Sequence, residues 1–234
     1  MLSAGPDTAP VSGLDHDMHR SIFRVAGLAL VLLTGLSAPL AAHPHVWVTG
    51  RSTLVFGAKQ TIVAVRHSWT FDEMFSTMAT QGLDADGDGK LSKEELAPLA
   101  QVNVESLSEY DFFTFLGAGD ALAEFAAPTN YWLDYENGQL TLHFTLPVKS
   151  PSDKMSSVSE LAVYDPTYFV AFAFDESNPV QIENKPAQCA AVLRRNETPS
   201  DAPERFVPDE VIAQLGAAAT FGENFAERVE ITCK

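Results

Sequence analysis

The stretch Tyr131-Trp132-Leu133-Asp134-Tyr135-Glu136-Asn137-Gly138-Gln139-Leu140-Thr141-Leu142-His143-Phe144-Thr145-Leu146 decides the fold class. Apolar and polar residues alternate on both sides of Asn137-Gly138. Asn-Gly between alternating runs is the strongest short hairpin signal, because a type I′ turn needs two residues that tolerate positive φ. A two-residue turn also fixes register. Tyr131, Leu133 and Tyr135 should share one face with Leu140, Leu142 and Phe144. Trp132 should then face His143, and Asp134 should face Thr141, on the other side.

Further strands flank this hairpin. His45 to Phe56 and Thr61 to Thr70 are rich in β-branched and aromatic residues and are separated by a turn signal, Gly57-Ala58-Lys59-Gln60. Leu161 to Tyr164 and Tyr168 to Phe174 flank Asp165-Pro166-Thr167. Pro179 to Glu183, Ala190 to Arg194 and a last stretch ending at Cys233 also read as strands. Asn196 to Glu204 reads as an acidic surface loop, and Pro208 to Ala218 starts like a helix. Between the first pair and the Asn-Gly hairpin the period changes. Phe71, Met74, Phe75 and Met78 fall at helical spacing. Ser92 and Glu95 form a capping-box pair, Pro98 should kink or shorten the helix that follows, and Val104 to Leu116 reads as helical and strongly aromatic. Strands at both ends with helices grouped between them predict an α+β domain over residues 43–234. It would be a mostly antiparallel sheet or sandwich carrying a helical, EF-hand-like insertion at 71–116.

The amino-terminal part reads as an address. Arg20 and Arg24 precede an apolar run from Val25 to Leu36, and small residues follow up to Ala41-Ala42. That is the pattern of a cleaved secretory signal over residues 1–42, with Met18 a more usual start than Met1. The apolar run is shorter than the roughly 20 residues of a spanning helix. A periplasmic location follows. There disulfides persist, so Cys189 and Cys233, the two cysteines of the chain, are expected to bridge and pin the carboxyl end.

The 234 residues carry 15 Lys+Arg against 31 Asp+Glu, a net charge of -16. Such a balance disfavours nucleic acid and anionic membrane surfaces and suits cations. One loop is built for a cation. Asp84-Ala85-Asp86-Gly87-Asp88-Gly89-Lys90-Leu91-Ser92-Lys93-Glu94-Glu95 fits the twelve-residue calcium loop at each diagnostic position. Asp84, Asp86 and Asp88 fill positions one, three and five, and Gly89 allows the sharp turn at six. Lys90 offers its carbonyl at seven, Leu91 packs inward at eight, Ser92 can hold a water at nine, and Glu95 can bind with both oxygens at twelve. No second loop of this kind occurs, so a structural site fits better than a sensor.

Histidines supply a different donor type. His43 and His45 open the exported chain and suit nickel, cobalt, zinc or copper. Pro44 lacks the amide N–H that the amino-terminal copper/nickel mode uses. If Phe56 pairs with Thr61, Asp72 comes opposite His45 as a carboxylate partner, with Glu73 beside it. His67 reads as a hydrogen-bonded core residue and His143 as a strand residue. No Ser-His-Asp signature or nucleophile elbow appears, so a noncatalytic protein is expected. Two alternatives are a copper enzyme with an amino-terminal histidine brace completed by His67 or His143, and a calcium-stiffened interaction module.

Several motifs together resemble a bacterial family of unknown function, one described as the periplasmic component of an uncharacterised ABC-type transport system. They are His43-Pro44-His45-Val46-Trp47, Trp69-Thr70-Phe71-Asp72-Glu73-Met74-Phe75-Ser76, the acidic loop through Glu95, Tyr110-Asp111-Phe112-Phe113-Thr114, Asn137-Gly138, Asp165-Pro166-Thr167-Tyr168 and the late cysteines. The resemblance spans the exported chain. It implies metal handling beside a nickel/cobalt-type membrane transporter. Repeated βα units are lacking, so solute capture by closure of two lobes is not expected.

Overall fold

The computed structural model describes residues 44–118, 121–151, 158–195 and 222–233. The signal segment, His43, the loop 196–204 and the helix expected at 208–218 lie outside the described residues.

Two sheets carry the fold. The strands are β1 (Val46–Phe56), β2 (Ile62–Phe71), β3 (Thr114–Ala118), β4 (Ala121–Leu122), β5 (Thr129–Glu136), β6 (Gln139–Pro147), β7 (Val158–Val163), β8 (Val170–Phe174), β9 (Val180–Glu183), β10 (Cys189–Arg194) and β11 (Arg228–Cys233). One sheet runs β5-β6-β2-β1-β8, with β9 also on β1; the other runs β10-β11-β7-β3-β4. The second is antiparallel. The first is mixed: β1-β2, β2-β6 and β5-β6 are antiparallel, while β1 pairs in parallel with β8 along its first half and with β9 along its second. Among the described residues there are two α-helices, α1 (Glu73–Ala79) and α2 (Lys93–Leu107). The chain is therefore sheet-rich.

The Asn-Gly hairpin sits as expected, with Trp132 opposite His143, Leu133 opposite Leu142 and Asp134 opposite Thr141. Leu133, Leu140, Leu142 and Phe144 are buried. Tyr131 is the exception: an irregularity between Thr129 and Trp132 turns it to the exposed side. The first hairpin slips instead. A bulge at Val55/Phe56 sets Phe56 opposite Ile62 and Val48 opposite Phe71. Asp72 therefore follows as the neighbour of Trp47, donating its N–H to the Trp47 carbonyl at 2.9 Å, and does not come opposite His45.

The helical segment is shorter than the sequence predicts. Phe71 ends β2. Met74 and Met78 are 60% and 65% exposed, since Phe75 and Ser76 take the inward face of α1. Buried Ser76 donates to the Asp72 carbonyl at 2.6 Å and accepts the Leu140 N–H at 2.9 Å, which docks α1 on β6. Helix α2 passes through Pro98 without stopping. Pro98 lacks the N–H that would reach the Glu94 carbonyl, and burial of Leu96, Ala100 and Val104 offsets that loss. The helix expected over Val104–Leu116 ends at Leu107. Asp111, Phe112 and Phe113 take φ of 50°, 54° and 47°, a left-handed turn that feeds Thr114 into β3. Pairing with β7 over Thr114–Gly117 wins over local helix propensity.

The sheets face each other across one core, and His67 lies between them with 0% exposure. Thr114 Oγ1 donates to the Phe112 carbonyl at 2.8 Å, which uses its only proton. His67 Nε2–H must then be the donor to Thr114 Oγ1 at 3.2 Å. Nδ1 is left to accept from Ser52 Oγ at 3.0 Å. One neutral tautomer thus joins β1, β2 and β3. Phe144 and Trp69 pack on the ring at 5.1 and 5.2 Å. At the far edge Cys189 and Cys233 pair across β10 and β11 and form a disulfide. At a sequence separation of 44, loop entropy gives it about 4 kcal/mol.

Burial lowers the His67 pKa from 6.5 to about 3. Above pH 6.5 the imidazole is neutral folded or unfolded, so it adds no pH dependence. Below that, the unfolded chain takes a proton that the folded one refuses. Stability should fall from pH 6.5 towards about 3, approaching 1.4 kcal/mol per pH unit from this one group. Denaturant titrations of wild type and His67→Gln at stepped pH should give a steeper acid slope in wild type; parallel slopes would contradict a buried neutral imidazole.

Candidate metal centre

The loop between the helices is preorganised by its own backbone. Asp72 caps α1 by accepting the Phe75 N–H at 2.8 Å, while its other oxygen accepts the Trp47 N–H at 2.9 Å. The chain leaves α1 at Thr80 and reaches Asp84 through Leu83, which packs on the core, as Leu91 does farther on. Two apolar anchors therefore hold an exposed acidic turn.

Within the turn each carboxylate is aimed by an amide. Asp84 accepts the Gly87 and Gly89 N–H groups at 2.8 and 3.0 Å. Asp86 accepts from Asp88 N–H at 3.0 Å, and Asp88 accepts from Lys90 N–H at 2.8 Å. Gly89 has φ +80°, a conformation that side-chain-bearing residues rarely adopt. Asp84, Asp86 and Asp88 each bring an oxygen within 4.8 Å of the others. Three carboxylates that close repel one another in water and attract a hard cation.

Glu95 closes the turn. One of its oxygens accepts the Ala85 N–H at 2.7 Å; the other accepts Ser92 N–H at 2.9 Å and Ser92 Oγ–H at 2.7 Å. The Ser92 backbone bond, the Ser92 hydroxyl and the Ala85 bond, in that order of weight, lower its pKa to about 2. The carboxylate is charged at any ordinary pH. Ser92 and Glu95 form the complete capping box of α2.

The turn is also tied to the sheet. Lys93 Nζ lies 3.6 Å from Asp134 Oδ1 and 5.2 Å from the Trp132 ring centre. Asp134 Oδ2 is 3.1 Å from His143 Nε2, and His143 Nδ1 is 2.9 Å from Ser68 Oγ. Trp132 stacks on His143 at 4.6 Å with planes 7° apart. Burial lowers the His143 pKa; the Asp134 charge opposes this, and Lys93 and Arg51 reinforce it. A Ser68–His143–Asp134 row therefore crosses three strands, which the sequence reading missed. The hairpin register held part of the signal, since it set Trp132 and Asp134 on the face of His143.

The nitrogen donors are scattered. His45 is exposed at the start of β1; its N–H donates to the Phe169 carbonyl at 2.9 Å and its ring lies 4.7 Å from that of Phe169. Both ring nitrogens of His67, and both of His143, have hydrogen-bond partners. Asp72 lies at the same end of the first sheet as His45, beside Trp47. No helix among the described residues is long and apolar enough to cross a membrane.

Comparisons with known proteins agree with the motif reading at the level of family. The family described as "Protein of unknown function (DUF1007)" matches residues 28–233. An uncharacterized 15.5 kDa protein of Spirochaeta aurantia, in the trpE 3' region, is 30% identical over 100 residues, 43% of this chain and 71% of its own length. An uncharacterized protein of Haemophilus influenzae is 23% identical over 205 residues, 87% of this chain and 98% of its own.

Ser92→Ala should remove one N-terminal cap of α2 and cost about 1 kcal/mol in metal-free buffer, read from the urea midpoint. An unchanged midpoint would show that the turn is held by its apolar anchors alone.

Proposed function

This chain belongs to the family described as "Protein of unknown function (DUF1007)", and from that premise we propose that it is an exported calcium-binding protein serving as a noncatalytic, metal-handling accessory of a transition-metal transport system. The observation that carries the calcium half is the convergence of Asp84, Asp86 and Asp88 within 4.8 Å. The donor set fits: hard oxygens, amide-aimed carboxylates, and a charged Glu95 held within the same turn. Asp84, Asp86, Asp88, the Lys90 carbonyl and Glu95 would hold the ion, with a water on Ser92. The ion would supply charge neutralisation, not chemistry on a substrate. Glu95 would be drawn from its amide partners to the ion, and α2 would keep its dock through Leu96, Ala100 and Val104. A lone extracellular loop of this type has a Kd of roughly 10⁻⁴–10⁻³ M.

The transition-metal half rests on less. His43 and His45 would be the nitrogen donors, with Asp72 near, for nickel, cobalt, zinc or copper. The membrane transporter as partner and the periplasm as location come from the resemblance and the signal-like segment. The copper-enzyme alternative needs a third nitrogen from His67 or His143, and the hydrogen bonds at both nitrogens of each ring speak against it. The interaction-module alternative would use the aromatic stretch after α2; burial of Phe112 and Phe113 favours a core role instead.

Calorimetry on EDTA-stripped protein should show one calcium site. At ten- to a hundredfold excess over Kd, the ion should raise unfolding stability by about 1.4–2.7 kcal/mol. Asp84→Asn with Glu95→Gln should abolish both effects; neither heat nor stabilisation at millimolar calcium would refute the calcium half. For the second half, equilibrium dialysis with nickel, cobalt, zinc and copper should show binding that His43→Ala/His45→Ala removes, and metal binding indifferent to that pair would refute it.

A further inference from the structure

Beside the β3-β4 end of the second sheet lies a cavity of about 420 Å³, distant in sequence from both metal-binding proposals. Phe112, Phe115 and Phe125 line it, together with Asp111, Glu124 and Lys149. Its volume lies in the range of small-molecule sites. The left-handed turn forms one wall. Asp111 and Phe112 have φ/ψ of 50°/32° and 54°/24°, and Phe113 follows with φ 47°. Three successive side-chain-bearing residues in this region are unfavourable, and such backbone persists only where the surroundings dictate it. Here the surroundings are the Thr114 hydroxyl bond to the Phe112 carbonyl and the Tyr110–Phe113 stack at 5.4 Å. The turn places Asp111 and Phe112 together on the cavity.

Charge selects the ligand. Lys149 Nζ lies 3.5 Å from Glu124 Oε2, so those two offset each other. Asp111 is exposed and no described residue forms an ion pair with it, which leaves one uncompensated carboxylate on an aromatic-lined cavity. Aromatic faces are negative and attract cations, and a carboxylate adds to that attraction. An anion would meet Asp111 and a chain of net charge -16. We propose that this cavity binds a small organic cation with an apolar body, such as a substituted ammonium.

The test is an NMR titration of the full exported protein in excess calcium chloride, which keeps the acidic turn out of the competition. Benzyltrimethylammonium is the probe and benzoate its anionic counterpart. The ammonium should give saturable shifts at Phe112, Phe115 and Phe125, and benzoate none. Asp111→Asn should weaken the ammonium about fivefold, the factor expected for one charge contact in water. Asparagine tolerates left-handed backbone, so that variant keeps the turn. Phe115→Ala should remove the shifts while leaving calcium binding unchanged. Equal response to benzoate, shifts confined to Asp84–Asp88, or an Asp111→Asn affinity equal to wild type would each overturn the proposal. The calcium site is read by its own titration, so failure of this proposal and failure of the calcium reading are distinguishable.

Discussion

Everything in the sandwich converges on the imidazole of His67, enclosed between two sheets and neutral there. Its two nitrogens are spoken for by hydroxyls from β1 and β3, and the tautomer follows from the Thr114 hydroxyl having already given its proton to Phe112. A charged imidazole would be buried without a carboxylate. An apolar ring would strand two hydroxyls. The position therefore sets the distance between β2 and β3, and through Thr114 it also holds the strained turn that ends the helical segment.

From that core the acidic loop inherits its rigidity in steps. Strand β2 runs into Asp72, whose side chain caps α1 and grips Trp47. Ser76 docks α1 on β6, and Leu96 and its partners dock α2 against the core. The segment between the helices, residues 80–92, is thus clamped at both ends, and Lys93 adds a tie to Asp134. Clamping matters for affinity, because a loop already turned loses less conformational entropy on binding an ion. Hydrogen bonds from backbone N–H groups to each carboxylate reduce their mutual repulsion in the meantime. For the proposed calcium site, a structural role on a rigid frame fits these facts better than a switch that opens.

Much of this could be read from residues alone, and the exceptions have physical causes. The Asn137-Gly138 hairpin was readable because a two-residue turn leaves no freedom in register. The turn at Gly57–Thr61 is longer, and the bulge it permits at Val55/Phe56 moved Asp72 from His45 to Trp47. The cysteine bridge was readable because the chain has two cysteines and reads as exported. Parallel pairing of β1 with β8 and β9 could not be read, since strand direction depends on contacts far apart in sequence. Helical spacing at Phe71, Met74, Phe75 and Met78 was real, but a helix of two turns at the end of a strand buries only part of its stripe. Strand β3 was hidden because Phe112 and Phe113 reach it through left-handed backbone, which no propensity favours. The convergence of Asp84, Asp86 and Asp88 was legible because alternate aspartates among glycines fold into one tight turn, and the Ser68–His143–Asp134 row was not, because its members come from three strands.

The turn from Asp84 to Glu95 is proposed to hold calcium in an exported protein. Native mass spectrometry of protein purified from the periplasm without chelator tests it most directly. One calcium per chain is expected, retained by wild type and missing from a variant carrying both Asp84→Asn and Glu95→Gln. A wild-type spectrum free of calcium in calcium-containing buffer, or one identical to that of the double variant, would contradict it.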